Sequence, residues 1–268
     1  MRIKKRVLFA ILLLLAVFAA FIVYSYNHLS KDVLPKEINL EISDGVTMEF
    51  VLIDSGCFAM GSFEGEGDAD ETPRHKVAVS KPFYLGKYEV TQRQWEVIMG
   101  ENPSDWKGNE YPVDTVSYND CIVFTEKLSQ ITGKEISLPT ESQWEYACRA
   151  DTITKWSFGN KEEDITKYGW IDINSKGTTH PVGLKQPNKW GLYDMYGNIS
   201  EWCIDWYQNP YSAENVTDPT GPLEGDSRVI RGGAWGDFPE NTRSAYRNAM
   251  GEEIENNGTG LRCALYLD

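Results

Sequence analysis

The sequence predicts an α+β domain, rich in loops and built from short helices and strands, and three observations predict it. Apolar runs of strand length mark residues 48–90, three well-capped helical segments follow before Arg149, and beyond Arg149 the periodicity dissolves into Gly- and Pro-punctuated chain set with aromatics. The 268 residues are enough for one large core with appendages. Nine Trp and 14 Tyr suit such a core, because aromatics fill space where regular elements are short and their polar atoms find partners in loops.

The opening strands lie between residues 48 and 60, where Val51, Ile53, Cys57, Phe58 and Met60 give extended apolar chain ending at Gly61. Residues 75–80 and 83–90 read as the next strands. Between them, Glu64-Gly-Glu-Gly-Asp-Ala-Asp-Glu71 places five carboxylates in eight residues without the spacing of an EF-hand, and reads as a mobile acidic loop. Thr91 caps a helix with Trp95, Ile98 and Met99 on one face, stopped by Gly100. Ser117, with Asp120 three residues on, opens a second, in which Cys121, Phe124 and Leu128 form a stripe ended by Gly133. Thr140 and Gln143 make a capping box behind Pro139, ahead of Trp144, Ala147 and Cys148. These stripes are core, so their cysteines face inward. Past Arg149, long loops carry Trp156, Trp170 and Trp190, and need side-chain or ion ties to satisfy their backbone groups. No repeat or second boundary is visible, and residues 46–268 read as one domain.

Residues 1–30 stand outside it. Arg2, Lys4, Lys5 and Arg6 precede an uncharged apolar stretch over residues 7–24, the pattern of a signal peptide or a single membrane anchor. Ala19, Ala20 and Ser25 leave cleavage open, and no Cys follows closely enough for a lipid anchor. The reading adopted is an uncleaved anchor, then a linker over residues 31–45, with the domain outside the cytoplasm (periplasmic or extracellular) and secreted if the segment is cleaved. A net charge of −14 argues against a nucleic-acid partner. Cys57, Cys121, Cys148, Cys203 and Cys263 show no metal-ligand spacing. In an oxidising compartment they favour disulfides, with at least one thiol left over in a monomer.

Four runs carry a resemblance: Leu138-Pro-Thr-Glu-Ser-Gln-Trp-Glu-Tyr-Ala-Cys-Arg149, Gly191-Leu-Tyr-Asp-Met-Tyr-Gly-Asn-Ile-Ser-Glu-Trp202, Arg228-Val-Ile-Arg-Gly-Gly-Ala-Trp235 and Gly260-Leu-Arg-Cys-Ala264. In this order and spacing the chain resembles the formylglycine-generating enzyme, or sulfatase-modifying factor, family. The resemblance implies a variant of the C-type-lectin fold. It also implies calcium held by Gly197 and Ile199 carbonyls and the Glu201 carboxylate, with the Tyr196 carbonyl as an optional further donor, and a disulfide joining Cys148 to Cys263. A second family calcium site would fall on the shortened stretch from Asp172 and is not expected.

Family catalysis uses two cysteines that hold copper, and soft thiolates are what Cu(I) requires. Those positions here are Asp237 and Thr242, and a family serine is Ala234, so copper is not expected and no catalytic residue is assigned. Relatives that use iron hold it with histidines; this chain has only His28, His75 and His180, of which His180 reads as a loop brace and His75 as a surface or structural residue. The function expected is a non-catalytic, exported, membrane-anchored binding or scaffold module for a protein or peptide partner. Its surface is expected at Trp235, Asp237, Phe238, Arg243, Tyr246 and Arg247, with Trp235 and Tyr246 as core residues the competing reading. The alternative is a formylglycine-generating oxidase that modifies cysteine in sulfatases or another exported protein through an altered metal site.

Overall fold

In the computed structural model the described residues are 34–267. The anchor expected over residues 7–24, residues 31–33 of the linker, and His28 lie outside them. Among the described residues no helix is long and apolar enough to cross a membrane.

The chain from Glu37 onward forms one compact unit. In order it runs β1 (Glu37–Ser43), β2 (Val46–Ile53), β3 (Gly56–Met60), β4 (His75–Val79), β5 (Phe83–Gly86), α1 (Gln92–Met99), α2 (Tyr118–Thr132), β6 (Glu135–Ser137), α3 (Glu141–Arg149), α4 (Ile165–Tyr168), α5 (Asp172–Ser175), β7 (Ser200–Trp206), β8 (Val216–Thr217), β9 (Arg228–Arg231), β10 (Asn248–Met250), β11 (Thr259–Gly260) and β12 (Ala264–Tyr266). Three small sheets result, ordered β1-β2-β5-β12-β6, β10-β9-β7-β11 and β3-β4-β8. This is the loop-rich α+β architecture the sequence predicts.

All three predicted helix starts are capping boxes. The Thr91, Ser117 and Thr140 hydroxyls accept from the amides of Gln94, Asp120 and Gln143, whose side chains accept in return from the cap amides. Gly100 and Gly133 close the first two helices in the left-handed region, at φ 90° and 65°, where a Cβ would be strained.

The core has two parts, and strand periodicity divides them. Val46, Met48 and Phe50 of β2 point to one cluster, with Trp95, Phe124, Leu128 and Trp202; Val51 and Ile53 point to the other, with Trp144, Ala147, Trp156 and Met195. Trp95 and Phe124 stack at 5.0 Å between α1 and α2.

Two expectations are corrected here. Residues 37–43 are not linker but the edge strand β1, antiparallel to β2; Ile38, Leu40 and Ile42 alternate and pack on the core. The acidic stretch 64–71 is not acidic surface throughout: Glu64 and Asp68 are exposed, but Glu71 is fully buried and anchored.

Candidate functional site

The four runs that carry the resemblance meet in the interior, and they meet through charge. Glu145 of α3 accepts from Gly61 N at 2.9 Å and from Arg149 Nε at 2.8 Å, and Arg231 Nη2 donates to its other oxygen. Glu141, one turn earlier, takes Arg247 through both oxygens, at 2.6 and 2.8 Å. Trp144 Nε1 donates to Glu201 at 2.6 Å, and Glu201 is held in turn by Arg262, whose Nη2 lies at 2.7 Å. Breaking any one pair would strand a buried charge, which is why such clusters hold or fail together. Much of what makes the motifs recognisable is therefore architecture.

From this cluster β9 runs out into Gly232 and Gly233, at φ 99° and 73°. A Cβ on Gly233 would stand 2.7 Å from Asn241 O and 2.9 Å from Thr242 Cγ2, so only glycine lets the two loops touch. The close approach places Thr242 under the surface, where its hydroxyl donates to Pro239 O at 2.8 Å and accepts from Trp156 Nε1 at 3.3 Å. Asp237 folds back on its own turn and accepts from Ala234 N at 2.8 Å. Burial raises its carboxyl above the usual range, and the nearby Asp172 charge adds to this. Beside these residues lies a cleft of about 270 Å³ walled by Glu66, Asp68, Lys155, Trp156, Asn241 and Arg243.

The residues expected to form a binding surface separate into two groups. Phe238 is 58% exposed. Trp235 is half-buried; its Nε1 donates to Asn257 O at 2.9 Å and Trp106 stands edge-on against its ring at 5.0 Å. Tyr246 is also half-buried, its hydroxyl accepting from Asn241 Nδ2 at 3.4 Å. Arg243 and Arg247, in contrast, are buried and are corrected to structural residues. Arg243 grips Glu71 with two nitrogens at 2.6 and 2.7 Å, and Arg247 holds Glu141 while donating to the carbonyls of Asp70 and Gln208. Neither presents its guanidinium to a partner.

The expected Cys148–Cys263 disulfide is also corrected, since all five cysteines are free thiols. The two belong to different core clusters. The Cys148 thiol donates to Ser244 Oγ at 3.5 Å, and Cys263 is a neighbour of Cys121. Burial pushes Cys148 up to about 11 and Cys263 up to about 12, and lifts Cys121 and Cys203 well above the ordinary thiol value. Thiolates, the form that binds soft metals, are disfavoured at all four. The two described histidines act structurally: His180 Nε2 bonds Ser175 O at 2.7 Å while its ring stacks on Trp170, and His75 Nδ1 bonds Pro73 O at 3.0 Å.

The segment expected to hold calcium carries one carboxylate, that of Glu201, and it is buried. Glu201 accepts from Trp144 Nε1 at 2.6 Å and from Arg262 Nη2 at 2.7 Å. Two further acids, Glu89 and Asp194, lie within its field. Glu89 accepts from Asn198 Nδ2 at 2.6 Å and Ile199 N at 3.2 Å, and burial with its acidic neighbours drives its carboxyl well above the ordinary range. Asp194 is 2% exposed, burial pushes it up to about 6, and its Oδ1 has no partner. An orphan buried carboxylate oxygen, Asp194 Oδ1, in surroundings with surplus negative charge suits a hard cation in charge and donor type. Asp194, buried with a free oxygen, is the acid that sequence reasoning missed. Its signal was its place in the Gly191–Trp202 run, three residues before Gly197.

The curled small sheets, short capped helices and long bonded loops define a domain of the formylglycine-generating-enzyme type, a variant of the C-type-lectin fold. The model of the sulfatase-modifying factor enzyme 1-like domain matches residues 41–267, and the chain belongs to that family. It is 32% identical to the formylglycine-generating enzyme of Streptomyces coelicolor over 283 residues, covering 80% of this chain and 88% of that protein. It is 28% identical to the chaperone protein LppX of Paenibacillus barcinonensis over 247 residues, covering 74% and 80% respectively. It also matches a serine/threonine-protein kinase, pkn1 of Chlamydia pneumoniae, at 31% identity over 82% of this chain, but spans only 38% of that protein's length. Among solved structures, Treponema denticola variable protein 1 superposes with a TM-score of 0.81 at 27% identity, over 87% of this chain and 99% of that one.

Proposed function

We propose that the chain is an exported, membrane-anchored binding module of the sulfatase-modifying-factor type, non-catalytic, that docks a protein or peptide through the Trp235–Phe238 face. The observation that carries this is what occupies the positions where the resemblance puts copper-binding cysteines. Asp237 is turned back onto Ala234 N, and Thr242 is buried between Pro239 O and Trp156. Neither is a soft ligand, while Phe238 beside them leaves a large aromatic ring in solvent. The adjoining cleft is acidic: Glu66, Asp68, Glu162 and Glu240 face Lys155, and Arg243 is already neutralised by Glu71. A partner segment with basic residues and an apolar anchor suits it. Calcium belongs to this reading as a structural ion, with Asp194 and the Gly197–Glu201 segment holding it and offsetting the surplus negative charge.

The test is site-specific photo-crosslinking of the full chain in its own cells, with the crosslinker at Phe238 and, as a control, at exposed Ile131 on α2. A discrete adduct at 238 that is absent at 131 and lost in Trp235→Ala is expected. Equal labelling at both positions would sink the proposal.

A further inference from the structure

The loop over residues 101–117 holds a buried acid that the face above does not use. Asp114 is 0% exposed. Its Oδ1 accepts from Asp105 N at 3.0 Å and from the Thr115 hydroxyl at 2.8 Å, while Oδ2 is buried without a partner. Its own amide donates to Ser104 Oγ at 3.1 Å. An orphaned buried carboxylate oxygen is destabilising unless something meets it. The Asp105 side chain adds a second negative charge close by. Burial, with that charge, lifts the Asp114 carboxyl to about 6. Lys107, the nearby cation, points its Nζ to Asn102 O at 2.6 Å in exposed surroundings.

A water molecule would meet the orphan oxygen but leave two like charges together, and a proton would neutralise only one of them. A divalent cation answers both. The donors at hand are all oxygens: the Asp114 and Asp105 carboxylates and the Ser104 hydroxyl. That is hard-ion chemistry. We infer that Asp114 and Asp105 bind a hard divalent cation of the calcium type, a site separate from Asp194.

The position gives the ion a task. Asp105 Oδ2 accepts from Asn257 Nδ2 at 2.8 Å, and Thr115 N donates to Asn256 O at 2.9 Å. Asn257 O in turn receives Trp235 Nε1, and Trp106 of the same loop abuts the Trp235 ring. An ion at Asp105 and Asp114 therefore fastens two loops around Trp235 and couples cation level to the stiffness of that face. This consequence rests on the docking reading; the cation site does not.

The experiment uses full-length protein carrying Asp194→Asn, which removes the other cation ligand, and titrates terbium as a hard-ion probe excited through tryptophan. Sensitised emission that calcium displaces is expected, with roughly tenfold or greater loss of affinity in Asp114→Asn. Asn at 114 keeps an oxygen for the Asp105 and Thr115 donors. Trp106→Phe should lower the emission while leaving the affinity in place. Should Asp194→Asn fail to fold, calcium stoichiometry by equilibrium dialysis replaces it, falling from two ions in the wild type to one in Asp114→Asn or Asp105→Asn. Variants that titrate like their parent, or a parent without displaceable emission or with one ion throughout, would overturn the site. Those results would leave the crosslinking outcome at Phe238 untouched.

Discussion

Replacing Arg243 with alanine separates a binding arginine from a structural one. In the fold Arg243 is 6% exposed and Glu71 fully buried, and the guanidinium forks onto both Glu71 oxygens at 2.6 and 2.7 Å. Burial alone would raise the Glu71 carboxyl; Arg243 and the Ser62 hydroxyl overcome this and hold it below its ordinary value. Arg243→Ala leaves Glu71 with Ser62 and the Asp68 amide but no counter-charge, and breaking a buried pair in this way costs about 3–5 kcal/mol. At about 2–4 °C per kcal/mol for a domain of this size, the melting temperature should fall by roughly 6–20 °C at pH 7.5. The deficit should shrink as pH falls towards 5, because the stranded Glu71 now takes a proton readily. It should also shrink in the double variant Glu71→Gln/Arg243→Ala, where no charge is left to strand. Thermal melts of the four proteins of this cycle at both pH values give the result. Arg243→Ala melting within 2 °C of the wild type would refute the reasoning and return Arg243 to the docking surface.

Other outcomes follow from the same geometry. Asp114 and Asp194 are raised to about 6 and Asp205 to about 7, each chiefly by burial. The folded chain thus binds protons that the unfolded chain has lost, at about 1.4 kcal/mol per proton per pH unit. In chelator, stability should fall as pH rises from 5 to 7.5, and calcium should flatten the slope; a melting temperature that rises over this range would contradict the assignment. The depressed carboxyls, Glu71 and Glu141, act in the opposite sense but only below their ordinary range, under about pH 4.5. Thr140→Ala removes the cap of α3 and should cost about 1 kcal/mol in chemical denaturation. Because Cys148 and Cys263 are free thiols, reductant should leave the melting temperature unchanged, and a drop of several degrees would reinstate the disulfide.

What was legible in the sequence is what local chemistry fixes. Thr91, Ser117 and Thr140 announce their helices because a cap and its reciprocal partner lie within three residues, and the Cys121–Phe124–Leu128 stripe declares its buried face by spacing alone. Strand β1 was legible too, in the alternation of Ile38, Leu40 and Ile42, but its interleaved charges gave the look of a linker. The arginines mislead for a different reason. Arg243 meets Glu71 across 172 residues and Arg247 meets Glu141 across 106, and no local pattern tells a surface arginine from one sealed by a distant carboxylate. A partial signal existed in Glu141 and Glu145, acids set beside Trp144 on a short helix that must be buried and so need cations. The disulfide came from resemblance, and the two-part core separates its partners. The acidic stretch shows the limit of composition: four of its carboxylates are exposed or half-buried as charge density suggests, and the fifth, Glu71, pins the segment.

The central proposal, that a docking face stands where the resemblance places copper-binding cysteines, is tested most directly by chemistry. Full-length protein in detergent would be given a Cys-x-Pro-x-Arg peptide, Cu(I), calcium and oxygen, and cysteine-to-formylglycine conversion followed by mass spectrometry against a metal-only control. The account predicts conversion no greater than the control from protein that melts cooperatively and binds calcium. Conversion above the control would contradict it, and would require a metal site built from ligands other than those at Asp237 and Thr242.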